Sequence, residues 1–271
     1  MATSTRANPH PEIGTELIRD WEPAAEPRAY IVLVHGLGEH SGRYERTGTL
    51  LAESGFWVRS FDLIGAGGSG GRRWDIDEWG RYHDQIGAHM AWTRTNGKPV
   101  ALMGQSFGGA LALGYALSDR PRPDALVLLA PALGGGATWQ RSMGKIARRV
   151  APTLTMPTGL EGQHLSRDPA VGEAYFADPL VVTKATCRFG ASLFDEMDSL
   201  NAELGNLEIP TLVIHGSDDR IVPTASSEPL GAVDGVDRTV YQGLRHETLN
   251  EPEGPEVVAD IVSWLDEKLA V

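Results

Sequence analysis

The chain has almost no cysteine. Cys187 stands alone among 271 residues, so no internal disulfide can form, which fits a reducing compartment. Cationic side chains are also scarce. Against 36 Asp and Glu there are 24 Lys and Arg, a formal net charge of −12. That balance argues against nucleic acid and anionic membranes as default partners and leaves neutral substrates open. No apolar run is long enough to span a bilayer. No apolar h-region occupies the first thirty or so residues, so no signal peptide is expected and the expected location is the cytoplasm. There is no H-E-x-x-H and no cysteine cluster to hold zinc.

What is present is a sizeable core. Hydrophobic residues make up 41% of the chain, and its length suits one large domain or a domain with an insertion. Short apolar runs punctuate it: "AYIVLVHG", "FWVRSFD", "PVALMGQ", "DALVLLAP", "PTLVIHG" and "RTVYQG". Most lack in/out alternation, as strands buried on both faces do. Helical patterns fall between them. Trp79, Tyr82, Ile86, Met90 and Thr93 share one helical face, as do Val257, Val258, Ile261, Val262, Leu265 and Leu269. The alternation predicts an α/β fold, a mostly parallel central sheet flanked by helices. "LIRDWEP" is expected to add an antiparallel strand.

From about residue 134 to 206 the strand-like runs disappear. An unstructured loop that long would be improbable, so this stretch is expected to be a helical cap inserted into a core formed by residues 1–133 and 207–271. The first twelve or so residues are expected to be disordered. Within the cap, Trp139, Met143, Ile146, Ala147 and Val150 form one apolar helical stripe, with Arg141, Lys145, Arg148 and Arg149 on the remaining surface. A structural helix would carry such a stripe. So would a lid that covers an acyl channel and makes transient contact with a lipid interface.

The G-x-S-x-G pattern occurs twice, around Ser69 in "GGSGG" and around Ser106 in "GQSFG". A nucleophile elbow needs a strand directly before the serine and a helix directly after it. Ser106 has both flanks, "PVALM" and "ALALGYAL". Ser69 has neither and reads as a loop residue. A serine hydroxyl needs a base to take its proton. In this fold class the order is Ser, acid, His. Of eight histidines, only His246 in "GLRHETLNE" follows a late strand and precedes the last helix. The acid should lie between, and "VIHGSDDRIVP" offers Asp218 and Asp219; spacing alone barely separates them. Two backbone donors would hold a developing oxyanion: the N–H of Phe107, and one from the loop "VLVHGLGEHSGRY", assigned to Leu37.

Together "HGLGEHSGRY", "GQSFGG", "LSRDP", "FADPL", "HGSDDRIV" and "RHETLNE" resemble the monoacylglycerol lipase and lysophospholipase-like branch of the α/β-hydrolase superfamily, from about residue 15 to 269. The resemblance implies an eight-stranded sheet and a mobile cap. It selects Asp219 as the acid, and it carries Ser106, His246, Leu37 and Phe107 into the roles given above. It places Glu39 and Arg43 near the alcohol-leaving pocket, although a Glu–Arg pair that packs the loop is an equal reading. Two departures stand out: Ala66 and Gln105 occupy positions where the family often has histidine.

The expected activity is hydrolysis of carboxylic esters of monoacylglycerol-like lipids through an acyl-enzyme, with no cofactor and no metal. Trp139, Met143 and Ile146 are further candidates for contact with substrate. The competing readings are a short-chain carboxylesterase or thioesterase, and a non-catalytic binding module of the same fold.

Overall fold

Every one of the six apolar runs folds as a strand. The structure, a computed structural model, describes residues 1–136 and 138–271, with residues 138–140 described in backbone alone. The chain opens with β1 (Ala2–His10), β2 (Gly14–Glu22), β3 (Ala29–Val34), α1 (Glu45–Glu53) and β4 (Phe56–Phe61). It continues with α2 (Gly80–Arg94), β5 (Val100–Gln105), α3 (Phe107–Leu117) and β6 (Ala125–Leu129). Then come α4 (Thr138–Val150), β7 (Thr155–Pro157), α5 (Pro169–Ala177), β8 (Lys184–Thr186) and α6 (Cys187–Glu203). It closes with β9 (Thr211–Gly216), β10 (Val236–Tyr241) and α7 (Gly254–Leu269).

Eight strands form the main sheet in the order β1-β2-β4-β3-β5-β6-β9-β10. From β4 to β10 all neighbours are parallel, while β2 runs antiparallel to both β1 and β4. This is the α/β-hydrolase architecture. Two apolar layers sandwich the sheet. On β5, Leu102 faces one layer with Tyr82 and Ile86 of α2 and Leu111 of α3. Its neighbours Ala101 and Met103 face the other, with Leu51 of α1 and Ile261 and Leu265 of α7. Burial on both faces is why these strands read as continuous apolar runs.

The N-terminal expectation is corrected. Residues 2–10 are not disordered but form β1, paired from Ala2↔Glu22 to His10↔Gly14. The strand is polar because it lies at the sheet edge with most side chains in solvent, so its stability comes from backbone pairing, and hydrophobic patterning misses it. Gly14, at φ 80°, supplies the left-handed turn. Arg6 then reaches Asp20 on β2, whose carboxylate also holds Arg59 at 2.7 Å.

Between β6 and β9 the chain leaves the sheet. The segment carries three helices and the antiparallel pair β7–β8, where Thr155 meets Thr186. That pairing spans a long sequence separation and leaves no local pattern. The β8–α6 junction is tied to the core by Asp75, which accepts from Thr186 Oγ1 at 2.7 Å and from Arg188 Nε at 2.6 Å. Phe189, Met197 and Leu200 of α6 join the core layer over α2 and α3.

Candidate active site

Parallel strands bring their C-terminal ends to one edge of the sheet, where open α/β sheets place their ligands. Ser106 sits there, between β5 and α3, at φ 53° and ψ −114°. A non-glycine residue at positive φ is strained and persists only when its surroundings hold it. Here they do. Ser106 N–H donates to Leu129 O at 2.8 Å, and Ser106 O accepts from Ala110 and Ala132 at 3.0 and 2.9 Å. The flanking glycines permit the turn by close approach. A Cβ on Gly104 would lie 2.2 Å from Gly108 O, and one on Gly108 would lie 2.2 Å from Val34 O. Ser69 is different. Its hydroxyl donates to Asp62 O at 2.7 Å and accepts from Leu17 N at 3.0 Å, stapling a loop to β2.

His246 and Asp219 come from the loops after β10 and β9. His246 Nδ1 lies 2.7 Å from Asp219 Oδ2. The other oxygen, Oδ1, accepts from the backbone of Ile221 and Val222 at 2.8 and 2.9 Å. Burial acts to raise the Asp219 carboxyl, but the His246 charge and the hydrogen bonds from His215, His246 and Val222 outweigh it, so Asp219 stays far below the usual carboxylate range. Burial acts to lower His246, and the Asp219 carboxylate beside it outweighs that, so its net shift is upward. Asp218 is exposed, and among the described residues its carboxylate accepts only from the neighbouring Ser217 hydroxyl. Ser106 and His246 line the same cavity. No direct hydrogen bond joins them, as is common before substrate draws such a pair together.

Leu37 and Phe107 both line this cavity. Among the described residues neither backbone N–H has a hydrogen-bond partner, while the neighbouring Gly36 N–H donates to Glu39 Oε1 at 2.6 Å. Two free amides beside Ser106 form a pair of donors for an oxyanion.

Glu39 lies in the cavity wall, whereas Arg43 does not. The Arg43 guanidinium is occupied on both sides: it pairs with Glu39 and grips Glu247 at 2.7 and 2.8 Å. Burial would raise the Glu39 carboxyl, but the Arg43 charge outweighs it and the net shift is downward. The pair expected from sequence is therefore a trio, and its third member, Glu247, adjoins His246. A substrate contact by Arg43 is corrected to a packing role for this reason. Sequence reasoning also missed two supports. Gln105 Nε2 donates to His246 O at 3.0 Å, tying the serine turn to the histidine loop. Fully buried His215 places Nε2 3.1 Å from Asp219 Oδ2 and 3.0 Å from Val222 O. Gln105 was visible only as a departure from a pattern, and His215 only as a histidine at a strand end.

The cavity has a volume of about 690 Å³, within the range of small-molecule sites. Its walls above Ser106 are mostly apolar and come largely from the segment between β6 and β9, including Met143, Leu154, Phe189 and Phe194. Met143 and Ala147, four residues apart on α4, face it. Ile146 does not. It lies on the outer flank of the same stripe, 57% exposed, so its expected contact with substrate is corrected. The side chain of Trp139 lies outside the described residues. Among those residues no helix is long and apolar enough to cross a membrane.

Residues 25–253 match the family described as serine aminopeptidase, S33. The chain belongs to this S33 family. Among its relatives is a monoacylglycerol lipase of Mycolicibacterium smegmatis, 32% identical over 263 residues that cover 93% of each chain. The human monoglyceride lipase is 30% identical over 268 residues, 93% of this chain and 87% of that protein. In three dimensions the chain is similar to the monoacylglycerol lipase of Paleococcus ferrophilus. That likeness has a TM-score of 0.84 at 31% identity, and covers 93% of this chain and 98% of the other. The S33 match runs from just before β3 to just before α7 and includes the helical segment between β6 and β9, so the serine turn, the Asp–His pair and the cavity all lie inside it.

Proposed function

We propose that the chain hydrolyses carboxylic esters of monoacylglycerol-like lipids through an acyl-enzyme on Ser106. The observation that carries this reading is a strained serine sharing one largely apolar cavity with a carboxylate-held histidine and two unpartnered backbone amides. The kinship with monoacylglycerol lipases supports the substrate class.

The steps follow from the geometry. His246 Nδ1 is held by Asp219, which leaves Nε2 free to take the Ser106 proton. Ser106 Oγ attacks the ester carbonyl, and the oxyanion that forms is held by the N–H groups of Leu37 and Phe107. The imidazolium, stabilised by Asp219, returns its proton to the leaving alcohol. Water, activated by the same ring, then attacks the acyl carbonyl, and collapse of that second intermediate frees the acid and Ser106. The acyl chain lies along the apolar wall, with Glu39 near the departing alcohol.

Residues 134–206 act in this reading as a cap over the site. The segment exposes Met143, Ile146, Val150, Leu154, Met156 and Phe176, of which Met143, Leu154 and Met156 also line the cavity; exposed apolar area of this kind suits an interaction surface. Lys145 and Arg149 lie beside it without an ion-pair partner among the described residues, whereas Arg141 and Arg148 pair with Asp198 and Asp195. Apolar area flanked by positive charge suits transient contact with a lipid interface. Free acid released from a purified long-chain monoacylglycerol, compared with a short acetate ester, tests the reading. Turnover confined to acetate would favour a simple carboxylesterase.

A further inference from the structure

Ten glycines lie within the seven α-helices; at nine an added Cβ would meet a neighbouring atom within 4 Å, and at six of those within 3.0 Å. An added Cβ on Gly48 would collide with the Trp21 ring at 2.3 Å, one on Gly114 would meet His83 Nε2 at 2.9 Å, and one on Gly144 would touch Ala191 at 3.8 Å. Gly190, in α6, is the exception. A Cβ there would meet nothing within 4 Å among the described residues. Nor does its backbone require glycine, because Gly190 is not among the positive-φ residues. Glycine weakens a helix relative to alanine, and here no contact or conformation compensates.

The open space beside Gly190 is the cavity itself. Gly190 lines it, together with Gly144, Ala147 and Ala191 where α4 and α6 approach each other. The bulky walls Phe189, Leu193 and Phe194 belong to the same stretch of α6. The missing side chain therefore leaves volume between two cap helices, above the serine.

We propose that Gly190 determines acyl-chain length: the space it leaves between α4 and α6 admits the distal part of a long acyl chain. This rests on the hydrolase reading above. A short acyl group ends near Ser106 and does not need this space. A long one must occupy it, and a branched side chain at this position would exclude it. Small differences in an apolar pocket discriminate substrates by one or two orders of magnitude per methylene, so the effect must grow with chain length.

The test is a length profile of kcat/KM for esters from C4 to C18, measured for wild type, Gly190→Ala and Gly190→Leu, with the melting temperature of each. Gly190→Leu should lower kcat/KM for C16 relative to C4 by roughly tenfold or more. Gly190→Ala should shift the profile the same way by a smaller factor, and should raise Tm by about 1–3 °C because it replaces a helical glycine where nothing clashes. The alanine variant keeps the test decisive if the leucine variant folds poorly. A length profile unchanged in both folded variants, or a loss equal at all lengths, would overturn the role of Gly190 and leave the hydrolase reading intact. Wild-type protein that hydrolyses no ester of any length would overturn both.

Discussion

Asp219 Oδ2 is shared by His246, at 2.7 Å from Nδ1, and by His215, at 3.1 Å from Nε2. His215 also reaches Val222 O at 3.0 Å and Ser227 Oγ at 2.9 Å, and is fully buried. Val222 O and the Asp219 carboxylate can only accept, so His215 Nε2 carries the proton and shares it between them. The carboxylate is thereby fixed from behind while it fixes His246 in front.

This geometry ranks the two neighbouring aspartates. Asp219→Asn should lower kcat by about 10⁴, because it removes the group that sets the His246 tautomer. Asp218→Asn, on the exposed side of the turn, should change kcat by less than about twofold, as surface substitutions commonly do. Steady-state kinetics on a soluble ester checks the ranking, and the reverse order would mean that the other carboxylate holds the histidine.

The pH profile follows from the direction of the His246 shift. His246 acts as base only when neutral, and its pKa is raised above the ordinary histidine value of 6.5. The acid limb of kcat/KM should therefore have its midpoint above 6.5, with activity lost as pH falls through it. In Asp219→Asn the residual activity should show that midpoint moved down, because the carboxylate that raised it is gone. A limb below 6 in the wild type would contradict the Asp219–His246 pairing.

The two serine motifs should separate by phenotype. Ser106→Ala should abolish turnover with Tm unchanged within a degree or two. Ser69→Ala should keep kcat but lose about 1–2 kcal/mol of stability, because it leaves Leu17 N–H without its partner. Denaturant unfolding paired with kinetics distinguishes them. Equal loss of activity in both would remove the distinction.

The cap makes a separable claim. Replacing Met143 and Ile146 together with serine should raise KM for a micellar long-chain monoacylglycerol by about tenfold, in line with the apolar area removed. A soluble acetate ester should be affected by less than about twofold. A parallel rise in KM for both substrates would make the helix a structural element alone.

How much of this was legible in the sequence follows from what each feature depends on. The sheet strands announced themselves because both faces are buried, and Ser106 because a strand, two glycines and a small-residue helix surround it. The edge strand β1 was hidden because its stability lies in backbone pairing, to which side-chain patterning is blind. The role of Glu247 was hidden because its partner Arg43 is distant in the chain, so no local spacing records the contact. Asp219 needed the family pattern, since Asp218 and Asp219 differ only in which way a turn points them.

The central claim is that Ser106 carries the acyl group, and an active-serine fluorophosphonate probe tests it most directly. Intact-mass measurement followed by peptide mapping should find one adduct per chain, on Ser106, formed by the wild type and absent from Ser106→Ala. Labelling should slow as pH falls through the His246 acid limb. An unlabelled protein, or an adduct that maps to Ser69 or to any other serine, would contradict the account.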